Sequence, residues 1–332
     1  MNLSKIDPAR CIAPAAAQRN VSGAVAGAGS ADYRRRHPDK GTGMADVAFV
    51  GLGVMGFPMA GHLAAKGHLT TVYNRTPARA EAWCARFNGK RAATPAAAAA
   101  PSEIVAVCVG NDDDLRSVVL GSEGILAGLA PGGIVVDHTT ASAEVARELA
   151  AAASAQGKHF VDAPVSGGQA GAENGTLTIM CGGEAEPFVR AEPVLRAYGR
   201  AVTHMGPSGA GQLTKMVNQV CIGGLLQALA EAITFTRCAG LDPEKVLATI
   251  SKGAAQSWQM ENRWPSMVEG RFDFGFAVDL MRKDLGIVLD EARRNGAALP
   301  VTALVDQFYR QVQERGGGKY DTSSLILNLR NG

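Results

Sequence analysis

A turn with three glycines follows the first apolar run of the sequence. The run covers residues 46–50, and the turn comes directly after it, at Gly51, Leu52, Gly53, Val54, Met55 and Gly56. In a GxGxxG turn between a strand and a helix, the first glycine permits the tight turn, the second lets a pyrophosphate approach, and the third allows close helix packing. The pattern therefore predicts a dinucleotide-binding turn; a purely structural glycine turn is the alternative.

A basic residue stands where many dinucleotide-binding proteins carry an acidic one. A carboxylate about 20 residues after the glycines usually holds the ribose 2′-hydroxyl of NAD. This sequence instead has Asn74, Arg75 and Thr76 after its second apolar run. A guanidinium beside a hydroxyl and an amide suits a 2′-phosphate, since arginine binds phosphate through paired, charge-assisted hydrogen bonds. We therefore predict NADP as the cofactor, with NAD also accepted if Arg75 is only a solvated charge.

A second glycine-containing turn follows a later apolar run. Ser166, Gly167 and Gly168 come directly after residues 162–165 (DAPV). Open α/β sheets bind their ligands at the carboxyl ends of strands, and the N–H groups of such a turn, with the serine hydroxyl, suit a carboxylate. We predict a substrate-carboxylate site there, with a purely structural turn as the alternative. A nucleophilic Ser166 is disfavoured, because no GxSxG motif surrounds it and no histidine is placed to act as its base.

Two lysines lie in helical patterns of the second half. Lys215 stands among apolar residues, and Asn218 lies three positions later on the same helical face. Burial and a nearby nicotinamide cation both lower the pKa of an amine, which suits a group that exchanges a proton during hydride transfer. Lys215 is therefore the predicted general acid/base; a lysine whose stem merely covers apolar atoms is the alternative. Lys283 either reaches the same site or forms a surface salt bridge.

Short apolar runs alternate with helical patterns up to about residue 206. The apolar runs lie at 46–50, 69–73, 104–109, 134–136, 159–161 and 177–181. Two of the helical patterns between them lie at 78–87 and 142–156. This alternation is typical of a parallel sheet with right-handed helical crossovers. The predicted fold class is α/β, with a doubly wound Rossmann sheet over residues 44–206 whose last run is a candidate antiparallel strand.

The character of the sequence changes at residue 206. Residues 206–211 (GPSGAG) have the composition of a hinge, and residues 212–239 form one long helical pattern without proline. Further helical patterns and no convincing strand predict an all-α domain over residues 207–330, joined to the sheet by a long interdomain helix. Residues 1–43 show no sustained period of 2 or 3.6, and we predict that they form a disordered, dispensable extension.

The composition excludes several classes of partner. Lys and Arg number 33 and Asp and Glu 31, a formal net charge of +2, so no overall field favours nucleic acid. The longest uncharged helical stretch, residues 216–230, is shorter than the roughly 20 apolar residues of a membrane span. Six cysteines without a CxxC pair fit the reducing cytoplasm, and the six histidines show no metal-binding spacing. We predict a cytoplasmic protein with a small-molecule partner and no metal.

Four motifs stand in a fixed order along the chain. They are residues 51–60 (GLGVMGFPMA), 162–168 (DAPVSGG), 209–218 (GAGQLTKMVN) and 283–285 (KDL). Together they resemble the β-hydroxyacid dehydrogenase family, which includes 3-hydroxyisobutyrate dehydrogenase, tartronate semialdehyde reductase and glyoxylate/succinic semialdehyde reductase. The resemblance extends from about Met44 to Arg330. It implies an active site in the cleft between a Rossmann domain and a helical domain, and a homodimer or homotetramer.

The resemblance also implies roles for single residues. Lys215 matches the catalytic lysine of the family, and Asn218 matches a residue that orients the substrate or the lysine. The turn at residues 166–168 matches the site of the substrate carboxylate. Four further positions match cofactor contacts or the lining of the substrate pocket, namely Thr140 and Lys283 for the first, and Trp258 and Phe276 for the second.

The sequence departs from the family pattern beside the predicted pocket, at His138, at residues 141–142 and at residues 109–111. Residues 217–219 lack the His-Asn pair of 6-phosphogluconate dehydrogenases, and imine reductases generally lack the lysine that stands here at 215. The resemblance therefore implies an NAD(P)-dependent oxidoreductase that interconverts a small 3-, 2- or 4-hydroxy carboxylic acid and its semialdehyde. An imine reductase-like enzyme and a cofactor-binding scaffold without turnover are the alternatives.

Overall fold

The computed structural model describes residues 44–329. The strands in that range are β1 (Asp46–Val50), β2 (Leu69–Tyr73), β3 (Lys90–Arg91), β4 (Ile104–Val107), β5 (Ile134–Asp137), β6 (His159–Asp162), β7 (Val165–Ser166), β8 (Leu177–Gly182) and β9 (Gly199–Gly206). The helices are α1 (Gly56–Ala65), α2 (Pro77–Arg86), α3 (Pro95–Ala99), α4 (Asp112–Leu120), α5 (Ile125–Gly128), α6 (Ala143–Ser154), α7 (Gly168–Glu173), α8 (Ala185–Leu195), α9 (Ala210–Cys238), α10 (Pro243–Ile250), α11 (Trp258–Glu269), α12 (Val278–Asn295) and α13 (Pro300–Glu314). Two 3₁₀ segments, Gly317–Lys319 and Thr322–Leu329, follow them. The predicted disordered extension, residues 1–43, lies outside the described residues.

The strands form one sheet in the order β3-β2-β1-β4-β5-β6-β8-β7, and β9 pairs with β8. All pairings among strands β1 to β6 are parallel, as predicted. Strand β8 runs antiparallel to β6 and β7, which confirms the predicted antiparallel strand. The strand order reverses between β1 and β4, and in open α/β sheets a ligand binds in the crevice at the carboxyl ends of the strands beside such a reversal.

The first strand is buried on both faces because helices cover both sides of the sheet. Val47 and Phe49 pack into one core, which includes α1. Ala48 and Val50 point the other way and pack into a second core, which includes α6. The central strands therefore need continuous apolar runs, and these runs are the reason why the strands could be predicted from the sequence.

The long helix α9 joins the sheet to the helical domain. It packs against β8 and β9 near its start and against α11, α12 and α13 further along. Leu226 and Ile233 contribute to the core of the helical domain together with Met281 and Tyr309. By length and composition alone, α9 is long and apolar enough to cross a membrane, but core helices of folded domains pass the same test.

The structure contains elements that the sequence patterns did not predict. The main ones are β9 and α11. Strand β9 alternates between half-buried and exposed positions after its first residue, so it carries no continuous apolar run. Helix α11 contains Pro265 in its interior, which conceals its helical pattern. Within the described part of the helical domain, the bridge between Ala277 and Asp321 is the only β-type pairing, in agreement with the predicted all-α domain.

Candidate active site

The glycine turn after β1 has two positions that tolerate no side chain and one that faces open space. Gly51 has φ of +96°, a conformation that L side chains rarely adopt. A Cβ atom on Gly51 would lie 2.1 Å from the carbonyl oxygen of Cys108, and one on Gly56 would lie 1.9 Å from that of Gly51. A Cβ atom on Gly53 would meet no heavy atom within 4 Å. The cradle at the start of α1 therefore fits the pyrophosphate of a dinucleotide.

Two alanine substitutions are expected to separate the structural glycine from the cofactor-binding one. Gly51→Ala should lower the free energy of unfolding by at least about 2 kcal/mol, because it combines backbone strain with overlap. Gly53→Ala should leave that free energy within about 0.5 kcal/mol, since its methyl group enters open space. It should instead weaken NADPH binding about tenfold or more, because the methyl group occupies the approach of the pyrophosphate.

Urea unfolding and equilibrium titration of NADPH measure the two effects. Equal losses of stability in both variants would contradict the assignment of Gly53 to the cofactor.

Of the residues predicted to bind the ribose phosphate, Asn74 hydrogen-bonds the glycine turn and Arg75 is an exposed cation. The Asn74 Oδ1 atom accepts a hydrogen bond from the Leu52 N–H group (2.8 Å), and its Nδ2 atom donates to the Thr76 carbonyl oxygen (3.1 Å). Asn74 thus fixes the glycine turn. Arg75 is highly exposed and contacts Asp114 Oδ1 at 3.2 Å. Because an exposed ion pair of this kind is weak, the guanidinium is free to bind an anion.

The start of α9 is capped from the sheet by a carboxylate. Asp162, at the end of β6, is fully buried. Its Oδ1 atom accepts from the Gly209 N–H group (2.7 Å), and its Oδ2 atom accepts from the Gln212 N–H group (2.9 Å). The first N–H groups of a helix have no partner within the helix, so this carboxylate satisfies them and complements the helix dipole. Burial raises the pKa of Asp162, and the hydrogen bonds from the N–H groups oppose that shift.

The segment after β5 is held by both α9 and α12. The fully buried Gln212 side chain donates to the Thr139 carbonyl oxygen (2.7 Å) and accepts from the Ala141 N–H group (3.1 Å). Lys283 Nζ donates to the Thr140 carbonyl oxygen (2.5 Å). Lys283 therefore reaches the carboxyl edge of the sheet instead of pairing at the surface. The helical domain is bonded directly to the segment that carries Thr140.

Lys215 lies buried in α9, beside a carboxylate. Its exposed fraction is 8%, and among residues 44–329 its side chain has no hydrogen-bond or salt-bridge partner. Burial lowers the pKa of Lys215; the negative charge of Asp284 opposes this shift, and the positive charge of Lys283 adds to it. The structure thus confirms the predicted burial. A buried amine with a lowered pKa is suited to releasing and taking up a proton.

Asp284 is the centre of a polar chain that sequence analysis did not identify. Asn218 Nδ2 donates to Gln219 Oε1 (2.7 Å), and Gln219 Nε2 donates to Asp284 Oδ2 (2.6 Å). The other oxygen, Oδ1, forms a salt bridge with Lys283 (3.2 Å). Burial raises the pKa of Asp284, and the two neighbouring lysines, Lys283 and Lys215, oppose the shift. The chain couples Asn218 to the charge that acts on Lys215.

The turn predicted to bind the substrate carboxylate has two exposed glycines with positive φ. Gly167 has φ of +131° and Gly168 has φ of +60°. A Cβ atom on Gly168 would meet no heavy atom within 4 Å, so the backbone there is accessible. Ser166 ends β7, opposite Thr178 of β8. The turn begins four residues after Asp162, but β8 separates its strand β7 from β6, which carries Asp162.

The two aromatic residues predicted to line the pocket lie at the ends of connections in the helical domain. Trp258 begins α11, is 56% exposed and stacks on the Arg263 guanidinium at 5.1 Å. The Phe276 N–H group donates to the fully buried Asp321 Oδ2 atom (2.9 Å), which fixes the segment before α12. Their contact with substrate stays a prediction.

The departures from the family pattern have structural roles. The His138 Nδ1–H group donates to the Ala163 carbonyl oxygen (2.7 Å), so its Nε2 atom accepts from the Tyr198 hydroxyl (2.8 Å). Burial lowers the pKa of His138 to about 4, so the ring is neutral and points into the core. Ser142 caps α6 by accepting from the Val145 N–H group (3.0 Å). Neither residue contributes a charge to the site.

The described residues contain no group of three or more His, Cys, Asp or Glu side chains arranged to hold a metal ion. In this part of the chain, the groups available for binding and catalysis are therefore titratable side chains, backbone N–H groups and the glycine turn after β1.

Comparisons with known proteins identify the family. The family model for the NAD-binding domain of 6-phosphogluconate dehydrogenase matches residues 46–206. The model described as NAD-binding of NADP-dependent 3-hydroxyisobutyrate dehydrogenase matches residues 209–329. The chain is 63% identical over 286 residues to an oxidoreductase of Shewanella frigidimarina, covering 86% of this chain and 98% of that protein.

Two further relatives carry an assigned activity. The chain is 36% identical over 273 residues to 3-hydroxyisobutyrate dehydrogenase of Pseudomonas aeruginosa, covering 80% of this chain and 91% of that one. The structure resembles Mycobacterium tuberculosis 3-hydroxyisobutyrate dehydrogenase solved with L-serine, with a TM-score of 0.80, 30% identity and coverage of 86% and 99%. The chain therefore belongs to the β-hydroxyacid dehydrogenase family and is an NAD(P)-dependent oxidoreductase that acts on CH–OH groups.

Proposed function

We propose that the protein is an NADPH-dependent reductase of a small semialdehyde acid, with Lys215 as the proton donor. The observation that carries this proposal is the buried lysine in α9, which has no hydrogen-bond partner in the described residues and lies under the influence of Asp284. An amine in this setting is held ready for a proton transfer, whereas a structural lysine normally reaches water or a carboxylate.

The chemistry assigns a separate task to each group. When bound, NADPH supplies a hydride to the substrate carbonyl carbon. The backbone N–H groups of the turn at residues 166–168 bind the substrate carboxylate and orient the carbonyl group. Lys215 Nζ gives its proton to the carbonyl oxygen, and Asn218 holds the substrate or the lysine in position. In the reverse direction, neutral Lys215 accepts the hydroxyl proton of the hydroxy acid.

Turnover of NADPH with a panel of semialdehydes tests the proposal. The panel contains the semialdehydes that correspond to 3-hydroxy acids, together with glyoxylate and succinic semialdehyde. Two relatives are named 3-hydroxyisobutyrate dehydrogenase, so the semialdehydes of 3-hydroxy acids are the first class to assay. Absence of turnover with the whole panel, despite NADPH binding, would favour a cofactor-binding scaffold. Faster reduction of a cyclic imine than of any aldehyde would favour imine reductase chemistry.

Cofactor preference follows from the exposed cation at residue 75. We expect kcat/KM to favour NADPH over NADH. Arg75→Ala should narrow that preference by about 10- to 150-fold, because a hydrogen bond to a charged group contributes about 1.5–3 kcal/mol. Asp114→Asn is the matched variant, since it removes the competing carboxylate that contacts Arg75 at 3.2 Å. It should widen the preference for NADPH.

Steady-state kinetics with both cofactors measures these changes. A wild-type enzyme that prefers NADH, or an Arg75→Ala variant with an unchanged ratio, would show that Arg75 does not read the 2′-phosphate.

A further inference from the structure

The short helix α7 begins at the turn that we propose for the substrate carboxylate. This carboxylate turn consists of Ser166, Gly167 and Gly168, and α7 extends over six residues from Gly168 to Glu173. Isolated helices of fewer than about 12 residues are marginal in water, so a helix of this length is not stable by itself. The position of the carboxylate turn therefore depends on the groups that hold α7 against the rest of the domain.

One side chain of α1, the helix that follows the glycine turn, binds the end of α7. His62 Nε2 lies 3.0 Å from the carbonyl oxygen of Ala172 and 3.0 Å from that of Glu173. Both oxygens are acceptors, so Nε2 carries the hydrogen and donates it to them. The last carbonyl groups of a helix have no partner within the helix, and His62 supplies one. In the part of the chain that the structure describes, His62 is the one residue outside the segment 167–176 whose side chain hydrogen-bonds α7.

Helices α1 and α7 are packed together as well as hydrogen-bonded. Ala172 is fully buried, in the same core as Met59 and Leu63 of α1. Just after α7, Gly175 has φ of +64°, and a Cβ atom on it would lie 3.2 Å from His62 Cε1. The chain therefore passes close beside the imidazole ring. Because protein interiors are close-packed, a shift of α7 relative to α1 has to break these contacts.

Both helices begin at a binding turn. Helix α1 begins at Gly56, the last glycine of the turn that fits the pyrophosphate, and α7 begins at Gly168, in the carboxylate turn. At 1.5 Å per residue, His62 lies about 9 Å from the start of α1, and Ala172 lies about 6 Å from the start of α7. Two short helices joined at this point hold their two turns at a fixed separation. Hydride transfer requires the reacting atoms to lie about 3–3.5 Å apart, and a displacement of about 1 Å can lower the rate about 100-fold.

We propose that His62 is a positioning residue, which holds the carboxylate turn at the distance from the glycine turn that productive substrate binding requires. The inference rests on the proposed function, because it takes residues 166–168 as the site of the substrate carboxylate. A histidine that only stabilises the fold is the alternative. That role would leave KM unchanged in the folded variant, whereas a displaced carboxylate turn raises KM while the glycine turn still binds NADPH.

Two substitutions at position 62 distinguish these roles. His62→Leu removes the N–H donor and keeps an apolar side chain of comparable size. KM for the semialdehyde acid should rise at least about tenfold, whereas the Kd of NADPH should change less than about twofold. His62→Gln returns an N–H donor at a similar reach and should bring KM back to within about threefold of the wild-type value. Steady-state kinetics and equilibrium titration of NADPH measure the two quantities.

A second histidine of the same domain provides the matched control, His204→Leu. His204 of β9 is also half-buried, and its Nε2 atom hydrogen-bonds the Gly183 carbonyl oxygen at 2.8 Å. Gly183 follows the end of β8, whereas α7 precedes its start. KM of the control should equal that of wild type. An equal rise of KM in both leucine variants, or a loss of NADPH affinity as large as the rise of KM in His62→Leu, would overturn the proposal in favour of a general structural role.

Amide hydrogen exchange tests the link between α1 and α7 without any substrate. The N–H groups of Gly171 and Asn174 donate to the carbonyl oxygens of Gly167 and Ala170, at 3.0 Å each. In the full chain with NADPH bound, His62→Leu should speed exchange over residues 167–176 at least about tenfold, because the segment opens locally, and His62→Gln and His204→Leu should not. Mass spectrometry of peptides from this segment measures the rates. Unchanged exchange in His62→Leu would overturn the proposal even in an active enzyme. Faster exchange in a chain that reduces no semialdehyde of the panel would instead reject the proposed function and support the link made by His62.

Discussion

Replacing Lys215 with alanine is expected to lower kcat by about 100- to 10,000-fold, the usual contribution of a positioned proton donor. Binding of NADPH should change little, because the nucleotide cradle after β1 belongs to a different part of the structure. Lys215→Arg is the matched variant: it keeps the positive charge, but a guanidinium does not give up its proton at working pH. Both variants should therefore be slow, and stopped-flow measurement of NADPH oxidation provides the rates.

The pH profile gives an independent signature of the same role. Reduction needs the protonated amine, so kcat should fall as pH rises through the pKa of Lys215. Burial lowers that pKa below the ordinary value of 10.5, so the fall comes at lower pH than for an exposed lysine. Asp284→Asn removes the charge that favours the ammonium form and should move the fall to still lower pH. A Lys215→Ala enzyme with near-normal kcat would show that another group supplies the proton, and Lys283 would then be the first candidate.

The second large effect concerns the carboxylate that caps α9. Asp162→Ala should lower the free energy of unfolding by about 2–4 kcal/mol, because it leaves buried N–H groups at the helix start without acceptors. The loss is smaller than the sum of the individual hydrogen bonds, because burial raises the pKa of Asp162 and so disfavours its charged form. Urea unfolding monitored by circular dichroism measures the change.

The isosteric variant separates hydrogen bonding from packing. Asp162→Asn keeps the volume and one acceptor atom for the Gly209 and Gln212 N–H groups, so about half of the loss should remain. Equal stability of wild type and Asp162→Ala would mean that the cap does not hold the helix. A loss as large in the Asn variant as in the Ala variant would place the whole effect in the carboxylate charge.

The sequence predicted those parts of the fold that depend on local pattern. The limits of β1 and β2 match the predicted runs at residues 46–50 and 69–73, because the apolar residues that bury a strand are neighbours in the sequence. Burial of Lys215 could be predicted for the same reason, because its neighbours in the sequence are apolar. The cap formed by Asp162 could not be predicted, since its partners lie 47 and 50 positions away.

The polar chain around Asp284 illustrates the same limit within the site. Gln219 and Asp284 are 65 positions apart and meet only because α9 and α12 pack together. A buried glutamine and a buried aspartate have no periodic signature, so the sequence alone assigns them no partner. Their pairing becomes predictable only when the helix packing is known.

The capped start of α9 also determines how far each part of the helix would move in a rotation of the helical domain. With the Asp162 cap as the pivot, Lys215 lies about 9 Å away and Cys238 about 43 Å away at 1.5 Å per residue. A rotation of about 10° would carry Cys238 some 7 Å, roughly five times as far as Lys215. The proposed proton donor thus lies close to the pivot, and the other end of the helix lies far from it. A rotation of the helical domain about this point would thus displace the distal end of α9 widely while Lys215 stays close to the Asp162 cap.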